Sequence, residues 1–133
     1  MECRVGRFAE LRFGHLFNVS ETPRLRTRLA EIFRDTQGKI VFCVDLRKLE
    51  RFGDEEEKQL IALMQTDNPR VEKSAMLVNE NGRFGLQVLR MLQEAENRAR
   101  RVCRKVEDVK TWLTPVLSAA ESARLEEFLE EDD

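Results

Sequence analysis

At 133 residues, 41% of them hydrophobic and 36% charged, the chain is long enough for one domain with its own core and too apolar for intrinsic disorder. Its 23 basic and 25 acidic residues leave a net charge of −2, which excludes the strong basic excess of a general nucleic-acid binder. No run approaches the roughly 18 apolar residues of a membrane span. Met1 to Arg4 lacks the apolar stretch of a secretory signal. Cys3, Cys43 and Cys103 have neither metal-ligand nor CxxC spacing. The expectation is a cytoplasmic protein with free thiols, Cys43 serving as a small buried hydrophobe, and no membrane insertion.

Residues 7–13 alternate, with Ala9, Leu11 and Phe13 on one parity and Glu10 and Arg12 on the other, which predicts a half-buried strand stopped by Gly14. Thr22 as N-cap with Pro23 behind it opens a first helix. Leu25, Leu29, Ile32 and Phe33 form its apolar face, and Gly38 ends it. Residues 39–46 (KIVFCVDL) lack alternation and predict a strand buried on both faces, as in a parallel sheet. Asp54 as cap and Glu57 three residues on suggest a capping box for a second helix, its acids suiting the positive helix end. Leu60, Ile61, Leu63 and Met64 supply its buried face, and Asp67-Asn68-Pro69 closes it.

Residues 74–78 (SAMLV) predict a third strand, followed by the turn Asn79-Glu80-Asn81-Gly82. A long helix then spans 83–96, with Phe84, Val88, Met91, Leu92 and Ala95 as its stripe. Residues 100–104 (RRVCR) are a fourth strand, and 106–117 a helix with Val109, Trp112, Leu113 and Val116 on its apolar face. Ser118 and Glu121 form a second capping box, which starts a last helix over about 118–130 with an acidic tail. The order β-α-β-α-β-α-β-α-α predicts a single α/β domain over 1–133, with about four mostly parallel strands and helices on both faces.

No arrangement in the sequence supports catalysis. His15, the only histidine, has no nucleophile elbow or triad order beside it. Residues 79–84 match no phosphate loop. The adjacent acids 54–57 point in different directions around a helix turn and form no metal nest. No cofactor and no metal are expected. Two basic clusters, one at Arg24, Arg26 and Arg28 and the other from Arg98 to Lys105, carry no interleaved aromatics, which speaks against nucleic acid.

Several segments together resemble the STAS domains of anti-sigma-factor antagonists and sulphate-transporter tails, and the small STAS-like bacterial proteins. Residues 10–16 (ELRFGHL) are similar to the family's first core strand and turn. Residues 41–49 (VFCVDLRKL) are similar to its Asp-bearing strand, with Asp45 at the aspartate. Residues 73–78 resemble its third strand, and 109–113 (VKTWL) its closing helix. The resemblance implies a regulatory fold that binds partners at the start of its second helix. It also implies a phosphorylatable hydroxyl there, where this chain reads Phe52-Gly53-Asp54-Glu55-Glu56-Glu57 and has none.

The leading expectation is thus a non-enzymatic regulatory or scaffolding module that binds a protein through Asp54, Glu55, Glu56, Arg24 and Arg28. The alternative is a small-molecule or lipid-binding domain with a pocket at the carboxyl edge of the sheet, near Asp45, Asn79, Asn81, Arg83 and Phe84. An exposed first strand would also allow a homodimer.

Overall fold

The computed structural model describes residues 2–96 and 98–131, and for Glu2 and Cys3 the backbone alone. It is an α/β fold with a five-stranded, mostly parallel sheet. The elements run β1 (Glu2–Val5), β2 (Phe8–Arg12), α1 (Thr22–Asp35), β3 (Ile40–Asp45), α2 (Asp54–Asp67), β4 (Val71–Leu77), α3 (Phe84–Ala95), β5 (Arg100–Cys103), α4 (Val106–Leu113) and α5 (Ala119–Glu130). Short 3-10 turns precede α1 and β4 and follow α4.

The sheet order is β1-β2-β3-β4-β5, with β1 antiparallel to β2 and every other pair parallel. The sequence predicts four strands; the fifth is β1, four residues whose pattern is too short to read. A tight turn through Gly6, in the left-handed region at φ +56°, folds β1 back on β2. The backbone N–H of Arg7 in this turn donates to Glu121 at 2.7 Å, so α5 clasps the hairpin.

Two expectations change with β1 in place. The strand at 7–13 is not the sheet edge, since β1 lies outside it. It is also not half-buried: Glu10 is 3% exposed and Phe8 is fully buried. Alternation marks a half-buried strand only when the second face meets water, and here α5 covers it. Arg124 of α5 accompanies the charge inward, with Nε donating to Glu10 at 2.8 Å. By contrast β3 is buried along its whole length, as its unbroken apolar run predicts.

The strand order never reverses, so right-handed crossovers place α1, α2 and α3 on one face. Ala9, Leu11, Phe42, Val44 and Met76 pack there. The other face carries Phe8, Val41, Cys43, Ala75, Leu77 and Cys103, and is closed by α4 and α5 through Val109, Leu113, Leu125 and Phe128. Both faces are covered, the second by the C-terminal helix pair and not by a crossover. Among the described residues no helix is long and apolar enough to cross a membrane.

Local signals hold with small shifts. Ser118 and Glu121 form the predicted capping box of α5. α1 starts one residue early, with Glu21 at the N-cap position but no side chain capping it, and among the described residues the buried Thr22 hydroxyl has no hydrogen-bond partner. β4 starts three residues early, with a register shift against β3 at Ile40/Val41.

Candidate functional site

The carboxyl ends of β2, β3 and β4 lead into three loops, at 13–21, 46–53 and 78–83. Four phenylalanines fasten these loops to one another. Phe13 meets Phe17 at 5.1 Å between ring centroids, and Phe52 stands edge-on to Phe13, Phe17 and Phe84 at 6.2, 6.0 and 5.2 Å. Edge-to-face contacts of this kind add a fraction of a kcal/mol to about 1.5 kcal/mol each beyond area burial. Gln87 of α3 fixes the middle loop: its side chain accepts from Phe52 N–H and donates to Phe52 C=O, at 3.0 and 2.9 Å. Sequence reasoning missed this chain of rings, because only Phe84 falls on a helical stripe and the others punctuate loops.

The first turn of α2 sits on that base. Gly53, extended at φ −70° and ψ 167°, is its N-cap, and no side chain caps it. Asp54 is therefore the first helical residue, and the expected capping box does not form. Glu57 instead takes the Gln87 amide at 3.0 Å and pairs with Arg90. The Gln87 hydrogen bond and Arg90 outweigh burial and hold its carboxyl below the usual range. Glu56 accepts from the backbone N–H of Val19 at 3.0 Å, pinning the 13–21 loop against α2. That leaves Asp54 and Glu55 as the two acids exposed to water.

On the same rim the loop presents Leu16, 77% exposed, and Val19, 38% exposed. His15 beside them is also exposed. Leu16 shares a shallow cleft of about 140 Å³ with Phe17, Glu21 and Arg24. Arg28, one turn further along α1, faces its own Glu31 at 3.5 Å. Glu56 and Arg24 thus meet at the 13–21 loop, Glu56 through Val19 and Arg24 through the Leu16 cleft, while Asp54 and Glu55 are exposed in the same helix turn as Glu56. Leu16 is the residue the sequence did not single out.

The second group of expected residues is dispersed. Asp45 is 5% exposed and lies on the α5 side of the sheet, between Arg12 and Arg47 at 3.0 Å from each. Arg12 and Arg47 also donate to the last carbonyls of α5, at Phe128 and Leu129. Burial opposes its charge, yet hydrogen bonds from the Arg47 side chain and backbone, with the Arg12 charge, hold the carboxyl below its ordinary value. Phe84 is buried in the core. Asn81 and Arg83 lie exposed in the turn, and Asn79 accepts from Asn81 N–H at 2.9 Å. Asn79 does line an open cleft with Arg47, Lys48, Arg104 and Lys105, but Asp45 and Phe84 are not part of it. A doubly wound sheet makes its ligand crevice where strand order reverses, and this order has no reversal.

Among the described residues, no cluster of three His, Cys, Asp or Glu side chains could hold a metal. Cys43 and Cys103 are buried free thiols, and burial pushes both up, Cys103 to about 11. Trp112 is not wholly core: its ring is half-buried beneath Lys73 and Arg101, at 4.1 and 3.9 Å, and its indole N–H donates to Ser74 C=O. Of the acidic tail, Glu131 pairs with Arg12 and Arg124; Asp132 and Asp133 lie outside the described residues.

No protein-family model matches this chain, and no curated protein matches it. What the site can do is therefore argued from its geometry.

Proposed function

We propose that this protein is a docking module without chemistry of its own, which binds a protein partner over the 13–21 loop and the first turn of α2. The observation that carries the reading is Leu16, 77% exposed on a loop that is anchored on both sides. A lone exposed leucine is ordinary. Here Phe13 and Phe17 root the loop below, Glu56 ties Val19 to α2, and Glu21 and Arg24 line the Leu16 cleft with charge. An apolar centre with a polar rim on a rigid base is the anatomy of a protein interface. Rigidity matters because a pre-ordered loop loses little entropy on binding.

A place beside the STAS domains belongs to the same proposal. Its support is the alternation of parallel strands and helices. The acids at the first turn of α2 stand where that family would carry a hydroxyl, so a phospho-switch has no hydroxyl to act on there, and the acids suit the positive end of α2. A cytoplasmic setting suits the free thiols Cys43 and Cys103.

The test is affinity capture from the soluble lysate of the source cell, comparing the native chain with Leu16→Asp and Glu55→Arg. One protein held by the native chain and lost with both variants is expected. Equal recovery with all three baits would refute this surface.

The small-molecule reading has one supporting observation, though away from the expected edge. A cavity of about 70 Å³ lies between the sheet and α1–α3, lined by Leu29, Phe42, Leu63, Met76 and Met91 with Asp67 and Arg100 at its rim. Engineered apolar cavities of about 150 Å³ take up benzene, so this one accommodates a few heavy atoms and excludes a lipid chain unless the helices part. Native mass spectrometry of the purified protein, showing an added mass that survives desalting, would favour it.

A further inference from the structure

We propose that the open edge of β5 is a second docking site, for an extended acidic segment of a partner protein that joins the sheet as an added strand. This inference does not rest on the reading of the Leu16 surface.

β5 ends the sheet, and no described strand lies beyond it. The carbonyls of Ala99 and Cys103 accept from Ser74 of β4 and from Val78 just after it. Ladder bonds use alternate residues of a strand, so Arg100 and Val102, between them in phase, direct their peptide groups outward. An unpaired row of this kind is a template for another strand.

The edge runs beside a groove of about 890 Å³ bordered by α3. Leu86 and Leu89 line it and are 64% and 46% exposed. Three residues apart on a helix, they share one face, and with Val102 they give an incoming strand an apolar wall. Arg98, Arg101 and Arg104 recur along the same groove, against Glu96 and Asp108. The Arg101 guanidinium carbon sits 3.9 Å from the centre of the Trp112 ring, and Arg104 donates to Gly82 C=O at 3.2 Å, so both guanidinium groups are held in place.

The charge identifies the occupant. Two copies joined β5 to β5 would set these arginines against each other, and facing like charges destabilise a strand pair. A partner strand alternating acidic with β-branched residues meets both features, acids toward the arginines and apolar side chains toward Leu86 and Leu89. The acids at the end of the chain do not supply it, since Glu126 of α5 pairs with Lys110, Glu127 with Arg124, and Glu131 just beyond α5 with Arg12 and Arg124. Charge alone would serve to guard an edge; exposed leucines aligned beside it serve contact.

The experiment titrates the full chain into a fluorescein-labelled peptide alternating glutamate with valine, read by anisotropy, with Trp112 emission as a second signal from the edge. Saturable binding is expected, weakened about tenfold or more by Arg98→Glu with Arg101→Glu. It should be lost when alternate peptide nitrogens are methylated, which removes the ladder donors. Circular dichroism checks that the double variant stays folded, and Leu86→Asp with Leu89→Asp gives a second test on side chains that need no refolding. Equal binding of the methylated peptide would overturn strand addition, and equal binding of a lysine–valine peptide would overturn the charge argument. Absence of binding, or a dimer that blocks the groove in sedimentation, would overturn the site itself.

Discussion

Buried charge in this protein is paired across long sequence separations, and single residues therefore carry large effects. Glu10 is held by Arg124, and Asp45 by Arg12 and Arg47. Breaking one partner of such a pair strands the other, at a cost of about 3–5 kcal/mol, whereas replacing both with apolar residues costs far less. Arg124→Met should therefore lower the denaturation midpoint sharply, and Glu10→Leu with Arg124→Leu should recover most of it, measured by urea titration. The Asp45 carboxyl titrates below its unfolded value of about 4. Its stabilisation is thus fully present above that pH and is lost as pH falls through the lower folded value. Thermal scans should show the native chain losing stability from about pH 4 downward, with a shallower fall in Asp45→Asn. A slope unchanged by that substitution would mean that other carboxylates account for the acid sensitivity.

At the scale of elements, the loops at the carboxyl edge are held by rings, not by helix caps. Phe52 touches three other phenylalanines, and both of its backbone polar groups are taken by Gln87. Phe52→Ala should cost about 3–5 kcal/mol and loosen the 13–21 loop, read as faster amide exchange at Val19. Unchanged exchange there would show that Glu56 alone holds the loop. Element order and most boundaries were legible because apolar periodicity reports which face of a segment is buried. β3 declared itself by its unbroken run, and α5 by its capping box. What the sequence could not convey was covering by distant segments. Glu10 reads as solvent-facing until α5 is known to lie over β2, and β1 is recognisable only from its pairing. The Leu16 surface was half legible: the acids at the start of α2 were visible, but the exposure of a loop leucine depends on where the neighbouring loops end.

At the scale of the whole molecule, one sheet divides two cores, and neither helix layer is dispensable. α4 and α5 seal the face that holds Cys43 and Cys103, and both thiols are raised by burial. A Cys3→Ser variant should therefore leave no thiol reactive toward an aromatic disulfide reagent at pH 8 until denaturant opens the sheet. Both should then react together, in step with the loss of helical circular dichroism. Early reaction of one thiol would reveal that the C-terminal helix pair opens separately. The same division places the two proposed docking surfaces apart, one at the carboxyl-end loops and one along the β5 edge, as an adaptor joining two partners requires.

The central claim is that a partner sits on Leu16. It is tested most directly by photo-crosslinking in the source cell, with a benzophenone amino acid in place of Leu16 and, as the control, in place of Ala123 on the outer side of α5. The account predicts one discrete adduct from position 16, diminished by Glu55→Arg, and none from position 123. No adduct at 16, or the same adducts from both positions, would contradict it.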